Sequence, residues 1–241
     1  MPNFRMFVLL LGGLPLLFSC AGREMVARDP LAREYFASAA AIQAPTEGPL
    51  FSSDASVMSD EEIQRALSFR YAPQRQNRIG VVTVGRRYWY GYSDELSRAG
   101  TEVQTKVISS LRRSSLVYDA SYLPALLTPE RRTVGHFREA GARYQADLLL
   151  IYQPSCRTYE KYQFFSPDKS KSYCTVEAVL LDTRSGVVPF TATASRDVLA
   201  EKTEKDLSLQ ETIRRAEVTA LGDALDEIAT GVVRFLEAAG K

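Results

Sequence analysis

The 241-residue sequence has few of the residues that build metal sites, and its basic and acidic side chains are nearly equal in number. One histidine and three cysteines leave little material for a metal centre that needs several nitrogen or sulfur ligands. The 30 basic and 29 acidic side chains give a net charge of +1, which removes the usual electrostatic basis for binding nucleic acid. Hydrophobic residues make up 45%, an ordinary value that excludes wholesale disorder. We therefore expect a folded protein that has no metal, no cofactor and no nucleic-acid partner.

Signatures of common catalytic sites are also missing from the sequence. It contains no Walker loop, no Gly-x-Gly-x-x-Gly fingerprint and no Gly-x-Ser-x-Gly elbow. Any Ser-His-Asp site would have to use His136, whose place on a predicted helix beside Phe137 favours a surface histidine. A glycosidase that uses only carboxylates is left open. The expectation is a protein that is not an enzyme.

The first nineteen residues have the pattern of a signal peptide. Arg5 precedes an apolar run from 6 to 18, which is shorter than the about 20 residues that span a bilayer. The run ends in Leu-Phe-Ser-Cys at 17–20, which resembles a bacterial lipobox and implies cleavage before Cys20 and acylation of its thiol, with palmitate among the chains. The alternative is an ordinary signal peptide that carries a cysteine near its end. Ala21 resembles the residue that sends such proteins to the outer membrane.

The two remaining cysteines, Cys156 and Cys174, are expected to form a disulfide. Export places the chain in an oxidising compartment, where a pair of cysteines is normally oxidised. Both cysteines lie in strand-like segments on either side of a turn-rich stretch at 166–170, so antiparallel pairing would bring them opposite each other. Two buried free thiols are the alternative.

The rest of the chain divides into a tether and one domain. Residues 20–58 are rich in Ala, Ser and Pro and predict a lipidated flexible tether. Residues 59–241 predict a single α/β domain, with a helical lead-in at 59–72 and a core at 77–237. Ser59 and Glu62 form a capping box that starts the lead-in helix.

Hydrophobic periodicity in the core predicts the order β-α-β-α-β-β-β-α. We expect a mixed sheet of about five strands, with parallel strands first, an antiparallel hairpin later and helices packed on the sheet. Thr128 and Pro129 predict the start of the second helix, as N-cap and first helical residue. Pro154 predicts a sheet edge or a bulge. A strand at 175–181 leads to a hairpin turn at 182–186.

From Asn77 to Phe235 the pattern resembles a superfamily of bacterial envelope domains. The similarity consists of an apolar strand that begins at Asp147, a turn at 182–187 leading into a Thr/Ala strand, and a long closing helix. The superfamily includes the N-terminal domain of TolB, the curli-secretion lipoprotein and the lipoprotein activators of penicillin-binding proteins. The resemblance implies a non-catalytic assembly or regulatory module. Gln153 and Pro154 depart from the pattern, because family members tend to have glycine after the central strand.

Two aromatic clusters are the candidate partner-binding surfaces. The first follows the first strand, at a point where open α/β sheets place ligand crevices. Its members are Tyr88, Trp89, Tyr90 and Tyr92. The second surrounds the predicted disulfide hairpin and consists of Tyr162, Phe164 and Phe165, flanked by Tyr159 and Tyr173. Large aromatic side chains dominate many interfaces, but the rings of both clusters could instead pack within their own domain.

These features together predict a lipid-anchored periplasmic module, held at the outer membrane, that contacts another envelope protein. The lipid, and not charge, would hold it there, because cleavage removes Arg5 and leaves 29 basic and 29 acidic side chains. A subunit of an outer-membrane secretion complex is the alternative. A periplasmic hydrolase is a further one.

Overall fold

The computed structural model describes residues 58–85, 94–161, 169–204, 206 and 208–241. The signal peptide and most of the tether therefore lie outside the described residues and stay predictions. The helices are α1 (Asp60–Ser68), α2 (Asp94–Leu111), α3 (Val134–Arg143) and α4 (Leu209–Ala239). The strands are β1 (Asn77–Thr83), β2 (Val117–Tyr122), β3 (Leu148–Lys161), β4 (Lys169–Asp182) and β5 (Phe190–Glu201). After the lead-in helix α1, their order is the predicted one, and the mixed α/β fold is confirmed.

The five strands form one mixed sheet in the order β2-β1-β3-β4-β5. β1 pairs in parallel with β2 and with β3, while β3, β4 and β5 pair antiparallel through two hairpins. This order places β1 between two strands that the chain reaches in opposite directions. β1 therefore ends at the topological switch point of the sheet.

The helices cover the two faces of the sheet unequally. α2 and α4 pack on one face, where the larger core includes Ile79, Leu150 and Val176 from the strands and Leu221 from α4. α3 packs on the opposite face with a smaller core around Phe137. That second face has no helix over β4 and β5 among the described residues, so Thr191, Thr193 and Ser195 are exposed there, as the alternation of β5 predicts.

Helix starts follow the capping residues, with one correction. Ser59 and Glu62 form the predicted capping box of α1, and Ser208 caps α4. The prediction that Thr128 and Pro129 start the second helix is wrong, because α3 begins at Val134 with Thr133 as its N-cap. The Thr133 hydroxyl accepts a hydrogen bond from the His136 amide at 3.2 Å, whereas the chain before it makes a short 3-10 turn at Ala125–Leu127.

β3 and β4 are longer than the sequence predicts, with 14 residues each. Pro154 does not interrupt β3, whose pairing with β4 continues to Lys161. The register with β1 ends at Tyr152, two residues before Pro154, so the described part of β1 does not pair with this proline. Beyond Tyr152 the two strands continue as a long hairpin, with β5 beside it.

Candidate interaction surface

The disulfide between Cys156 and Cys174 is present and fixes the long hairpin. The two residues lie directly opposite each other in the register, with their Cα atoms 4.1 Å apart. Such a short separation is typical of pairs that do not exchange backbone hydrogen bonds. Both side chains point toward α4 and are buried. The bond therefore locks the hairpin beyond the end of β1, where the parallel strands no longer support it.

Buried polar groups lie between the hairpin and the start of α4. The Glu217 carboxylate accepts hydrogen bonds from Arg214 at 2.7 Å and from the Thr158 hydroxyl at 2.9 Å. The side chains of Arg214 and Glu217 are only 6% and 8% exposed. The Ser172 hydroxyl lies 3.0 Å from that of Thr158 and joins the same network. These contacts attach the hairpin to α4 two residues beyond the disulfide, on the side away from β1.

The opposite side of the hairpin is solvent-exposed and carries large apolar side chains. Tyr159, Tyr173 and Leu199 are 66%, 46% and 61% exposed. In the register, Lys171 of β4 lies between Tyr159 of β3 and Leu199 of β5. Tyr173 lies two residues further along β4 on the same face. We call Tyr159, Tyr173 and Leu199 the hairpin patch.

Charged groups lie inside the hairpin patch. The Lys171 ammonium is 3.0 Å from the Asp197 carboxylate and 5.9 Å from the centre of the Tyr173 ring. A surface ion pair of this kind contributes little to stability. Apolar anchors surrounded by polar groups are typical of protein interfaces.

The structure describes only part of the predicted binding residues. Tyr159 and Tyr173, which flank the second predicted cluster, lie on one exposed face of the hairpin, as their alternating positions suggest. The central members of both clusters lie outside the described residues. They are Tyr88, Trp89, Tyr90, Tyr92, Tyr162, Phe164 and Phe165. Leu199 was not among the predicted residues, although its place in an alternating strand beside Asp197 is a usable signal.

His136 lies on the exposed surface of α3. Its Nδ1 atom is 2.6 Å from the Thr133 hydroxyl, which also caps the helix. The neighbouring depression, of about 460 Å³, includes Glu130 and Glu139. The Glu139 carboxylate binds Arg143 at 2.8 Å. In the described part of the chain, no three His, Cys, Asp or Glu side chains are grouped so as to hold a metal ion.

A cavity that sequence reasoning missed lies beside Tyr71. The cavity has a volume of about 400 Å³, and Asp147 and Asp182 contribute to its wall. Burial, together with the charges of Asp182 and Asp147, raises the pKa of the Tyr71 phenol. The Tyr71 ring stacks on Phe235 of α4 at 5.6 Å. Because these residues are far apart in the sequence, no local motif indicates the cavity.

None of the four described helices has the length and apolar character of a membrane-crossing segment.

Comparisons with known proteins give only distant likenesses. No protein-family model and no curated protein matches the chain. Lipoprotein GNA1162 from Neisseria meningitidis is 15% identical with a TM-score of 0.32, and the match covers 67% of this chain and 99% of that one. A minor lipoprotein from Acinetobacter baumannii is 8% identical with a TM-score of 0.32, and the match covers 67% and 91%. A hypothetical protein from Chlamydia trachomatis is 8% identical with a TM-score of 0.39, and the match covers 68% and 99%.

Bacterial lipoproteins are thus among the structures that this chain resembles. With every one of these TM-scores below 0.5, the likeness carries no argument about partner or activity. The resemblance to the TolB, curli-secretion and penicillin-binding-protein activator superfamily stays a prediction from the sequence.

Proposed function

We propose that this chain is a lipid-anchored protein of the bacterial cell envelope whose α/β domain binds another envelope protein and catalyses no reaction. The anchor would be Cys20, acylated with palmitate among its chains, and the outer membrane would be its site. The lipobox-like stretch at 17–20 supports the anchor. The subunit of a secretion complex and the hydrolase stay alternatives from the sequence alone.

The hairpin patch is the observation that carries the binding proposal. Tyr159 and Tyr173, on a hairpin that a disulfide holds in register, are exposed together with Leu199 of the adjacent strand β5. Because the disulfide fixes the hairpin before it meets a partner, little additional chain entropy is lost on association. The predicted aromatic residues Tyr162, Phe164 and Phe165 belong to the same hairpin in sequence and would enlarge the surface.

Photo-crosslinking from the hairpin patch tests the binding proposal in intact cells. A photoreactive residue at position 159 should crosslink a distinct envelope protein, which mass spectrometry identifies. The matched control is position 102, where Glu102 is exposed on α2, away from the patch. Tyr173→Ala, combined with the crosslinker at 159, should reduce the yield several-fold, since interface aromatic residues often contribute 2 kcal/mol or more. Equal yields from positions 159 and 102 would contradict the proposal.

Metabolic labelling with a palmitate analogue tests the anchor separately. The wild-type chain should incorporate the label, and Cys20→Ala should abolish it, because the thiol is the acylation site. The double variant Cys156→Ala/Cys174→Ala is the matched control and should label like the wild type. Label that persists in Cys20→Ala would refute the anchor.

A further inference from the structure

β5 forms one edge of the sheet, and its outer backbone groups have no strand beside them in the described part of the chain. The Val84 amide donates to the Tyr152 carbonyl at 2.8 Å, so the backbone groups of Tyr152 point toward β1. The register joins Tyr152 to Ala178 and Ala178 to Ala192. Because backbone groups alternate along antiparallel strands, Ala192 bonds to β4, and odd-numbered residues such as Thr193 direct their N–H and C=O groups outward.

The first half of this edge lacks the protection that the other edge has, whereas Arg196, Asp197 and Glu201 place charges on its second half. β2, at the far side of the sheet, is only six residues long and carries Asp119, which forms ion pairs with Arg78 and Arg112. Short length and charge are the usual means by which proteins prevent pairing at an edge. β5 has 12 residues, contains no proline and has no charged residue from 190 to 195. Such an edge is a template for another strand.

The sequence at the centre of this edge fits a second copy of the same strand. From Thr191 to Ser195 the residue types read hydroxyl, Ala, hydroxyl, Ala, hydroxyl in both directions. A two-fold axis at Thr193 therefore pairs Thr191 with Ser195 of the second copy, and alanine with alanine on the other face. Two-fold interfaces require such self-complementarity, and cross-strand hydroxyl pairs stabilise sheets. The chain already makes one such pair, between the Thr175 and Ser195 hydroxyls at 2.9 Å.

The helix beside β5 is self-complementary about the same axis. A groove of about 640 Å³ separates β5 from α4, and its helical wall includes Asp223, Glu227, Thr230 and Arg234. These positions follow one another on one face of α4, with acids at one end and an arginine at the other. Reversal of this order by a two-fold axis brings Arg234 of one copy toward Asp223 of the other, while Glu227 is paired with Arg196 of its own β5 strand at 2.7 Å.

The spacing of the layers agrees with this arrangement. α4 packs over both β4 and β5. The helix axis therefore lies about one strand spacing, roughly 4.8 Å, from the two-fold axis, which runs just outside β5. Two copies of α4 would then lie about 10 Å apart, which is an ordinary distance for packed helices. Each α4 would fill the groove beside the β5 strand of the other copy.

We propose that the protein forms a homodimer in which two β5 strands pair antiparallel about an axis at Thr193. The two five-stranded sheets then form one continuous ten-stranded sheet, and the two α4 helices pack side by side. The paired segment, 190–196, does not include Leu199, the one residue of the hairpin patch on β5. The dimer and the binding of another envelope protein therefore stand or fall separately.

Cysteine crosslinking of the purified full-length lipidated protein in detergent tests the axis. Thr193→Cys should give a covalent dimer on mild oxidation, because the Cα atoms of a pair on the axis would be about 5.5 Å apart. Thr191→Cys is the matched control on the same exposed strand and should not crosslink to itself. A mixture of Thr191→Cys with Ser195→Cys should crosslink, since these positions face each other. Equal self-crosslinking at 191 and 193, or none at 193, would overturn the proposal.

Sedimentation of the same preparations tests the helix contact. The wild type should sediment as a dimer, and Arg234→Asp should raise its dissociation constant by about tenfold or more through charge repulsion. The double variant Asp223→Arg/Arg234→Asp should restore the dimer, which a merely unfolded variant would not do. A wild-type monomer at about 100 μM would refute the dimer. A crosslink in cells from position 193 to a different protein would show that another chain occupies the edge.

Discussion

At the scale of single residues, the buried ion pair of Arg214 and Glu217 shows how the hairpin depends on α4. The pair is almost fully buried, and the Thr158 hydroxyl donates to the same carboxylate. A buried ion pair of this kind adds little stability over an apolar pair of the same size. Removal of one partner is nevertheless costly, because the other charge stays buried without compensation. The ion pair lies within α4, and the hydrogen bond from Thr158 to Glu217 joins it to the hairpin.

Arg214→Met should lower the free energy of unfolding by about 3–5 kcal/mol, because Glu217 keeps an uncompensated buried charge. Urea denaturation of the variant measures the loss. The double variant Arg214→Met/Glu217→Leu should recover most of the stability, since neither charge remains. A double variant as unstable as the single one would contradict this account of the pair.

A second prediction at this scale distinguishes the two threonines before α3. Thr133→Ala should cost about 1 kcal/mol, because its hydroxyl accepts from the His136 amide at the N-terminus of the helix. Thr128→Ala should change stability by less than about 0.5 kcal/mol, because that half-buried side chain caps no helix. Chemical denaturation of both variants measures the difference, and the reverse order would place the helix start at Thr128.

At the scale of elements, the disulfide takes over where the parallel sheet ends. The register with β1 stops at Tyr152, and the bond joins β3 and β4 four residues later, at Cys156. The cysteines are separated by 18 positions in the chain, and closing a loop of this size contributes about 3 kcal/mol by restricting the unfolded chain. The disulfide therefore stabilises this hairpin independently of β1.

The double variant Cys156→Ala/Cys174→Ala should lose about 3 kcal/mol of unfolding free energy in denaturant titrations. Treatment of the wild type with a reductant under denaturing conditions should give the same midpoint as the variant. We also expect crosslinking from position 159 to fall, because the hairpin patch loses its fixed register. A variant with wild-type stability would show that the bond adds nothing to the fold.

Elements whose burial is local were predictable from the sequence, and those covered by distant residues were not. The apolar run of β3 and the periodicity of α2 identify these elements directly. Ser170 and Ser172 look like solvent-exposed hairpin residues, yet both are fully buried because the first turns of α4 lie over them. The same reason explains the unexpected length of β4, since the helix that covers it comes about forty residues later in the chain.

Residues of the candidate site were likewise predictable where the sequence signal is local, and not where distant segments meet. Alternating aromatic positions around the cysteines identified Tyr159 and Tyr173 as residues of one face. The free edge of β5 depends on the strand order, which no local pattern specifies. The cavity beside Tyr71 depends on three segments that meet only after folding.

At the scale of the whole molecule, two aspartates attach α4 to the rest of the domain. Asp206 accepts hydrogen bonds from the Thr203 amide at 2.7 Å and from Arg215 at 3.0 Å. Asp226 accepts one from the Ser110 hydroxyl of α2 at 2.9 Å. Burial, the largest single influence, raises the pKa of each carboxyl, but the hydrogen bonds and nearby cations outweigh it and hold both values below the ordinary 3.8.

These lowered pKa values predict a loss of stability in acid. Their contribution is fully present above about pH 4 and disappears as the pH falls through the lowered pKa values of the folded protein. Asp206→Asn should therefore be less stable than the wild type at pH 7 and should lose less on acidification. Unfolding free energies measured from pH 7 down to about pH 2 check this, with Asp60→Asn on the exposed lead-in helix as the control. Parallel curves for wild type and Asp206→Asn would refute the role of this carboxylate.

Pro154 and β5 differ in how they limit pairing with another chain. Beyond Tyr152, the register joins β3 to no described residue of β1, and Pro154 has no amide to donate from that strand. β5 contains no proline, and its outer backbone groups have no strand beside them in the described part of the chain. A two-fold pairing along β5 would use the same edge on both copies, so the assembly would close at two chains and would not extend into a fibre.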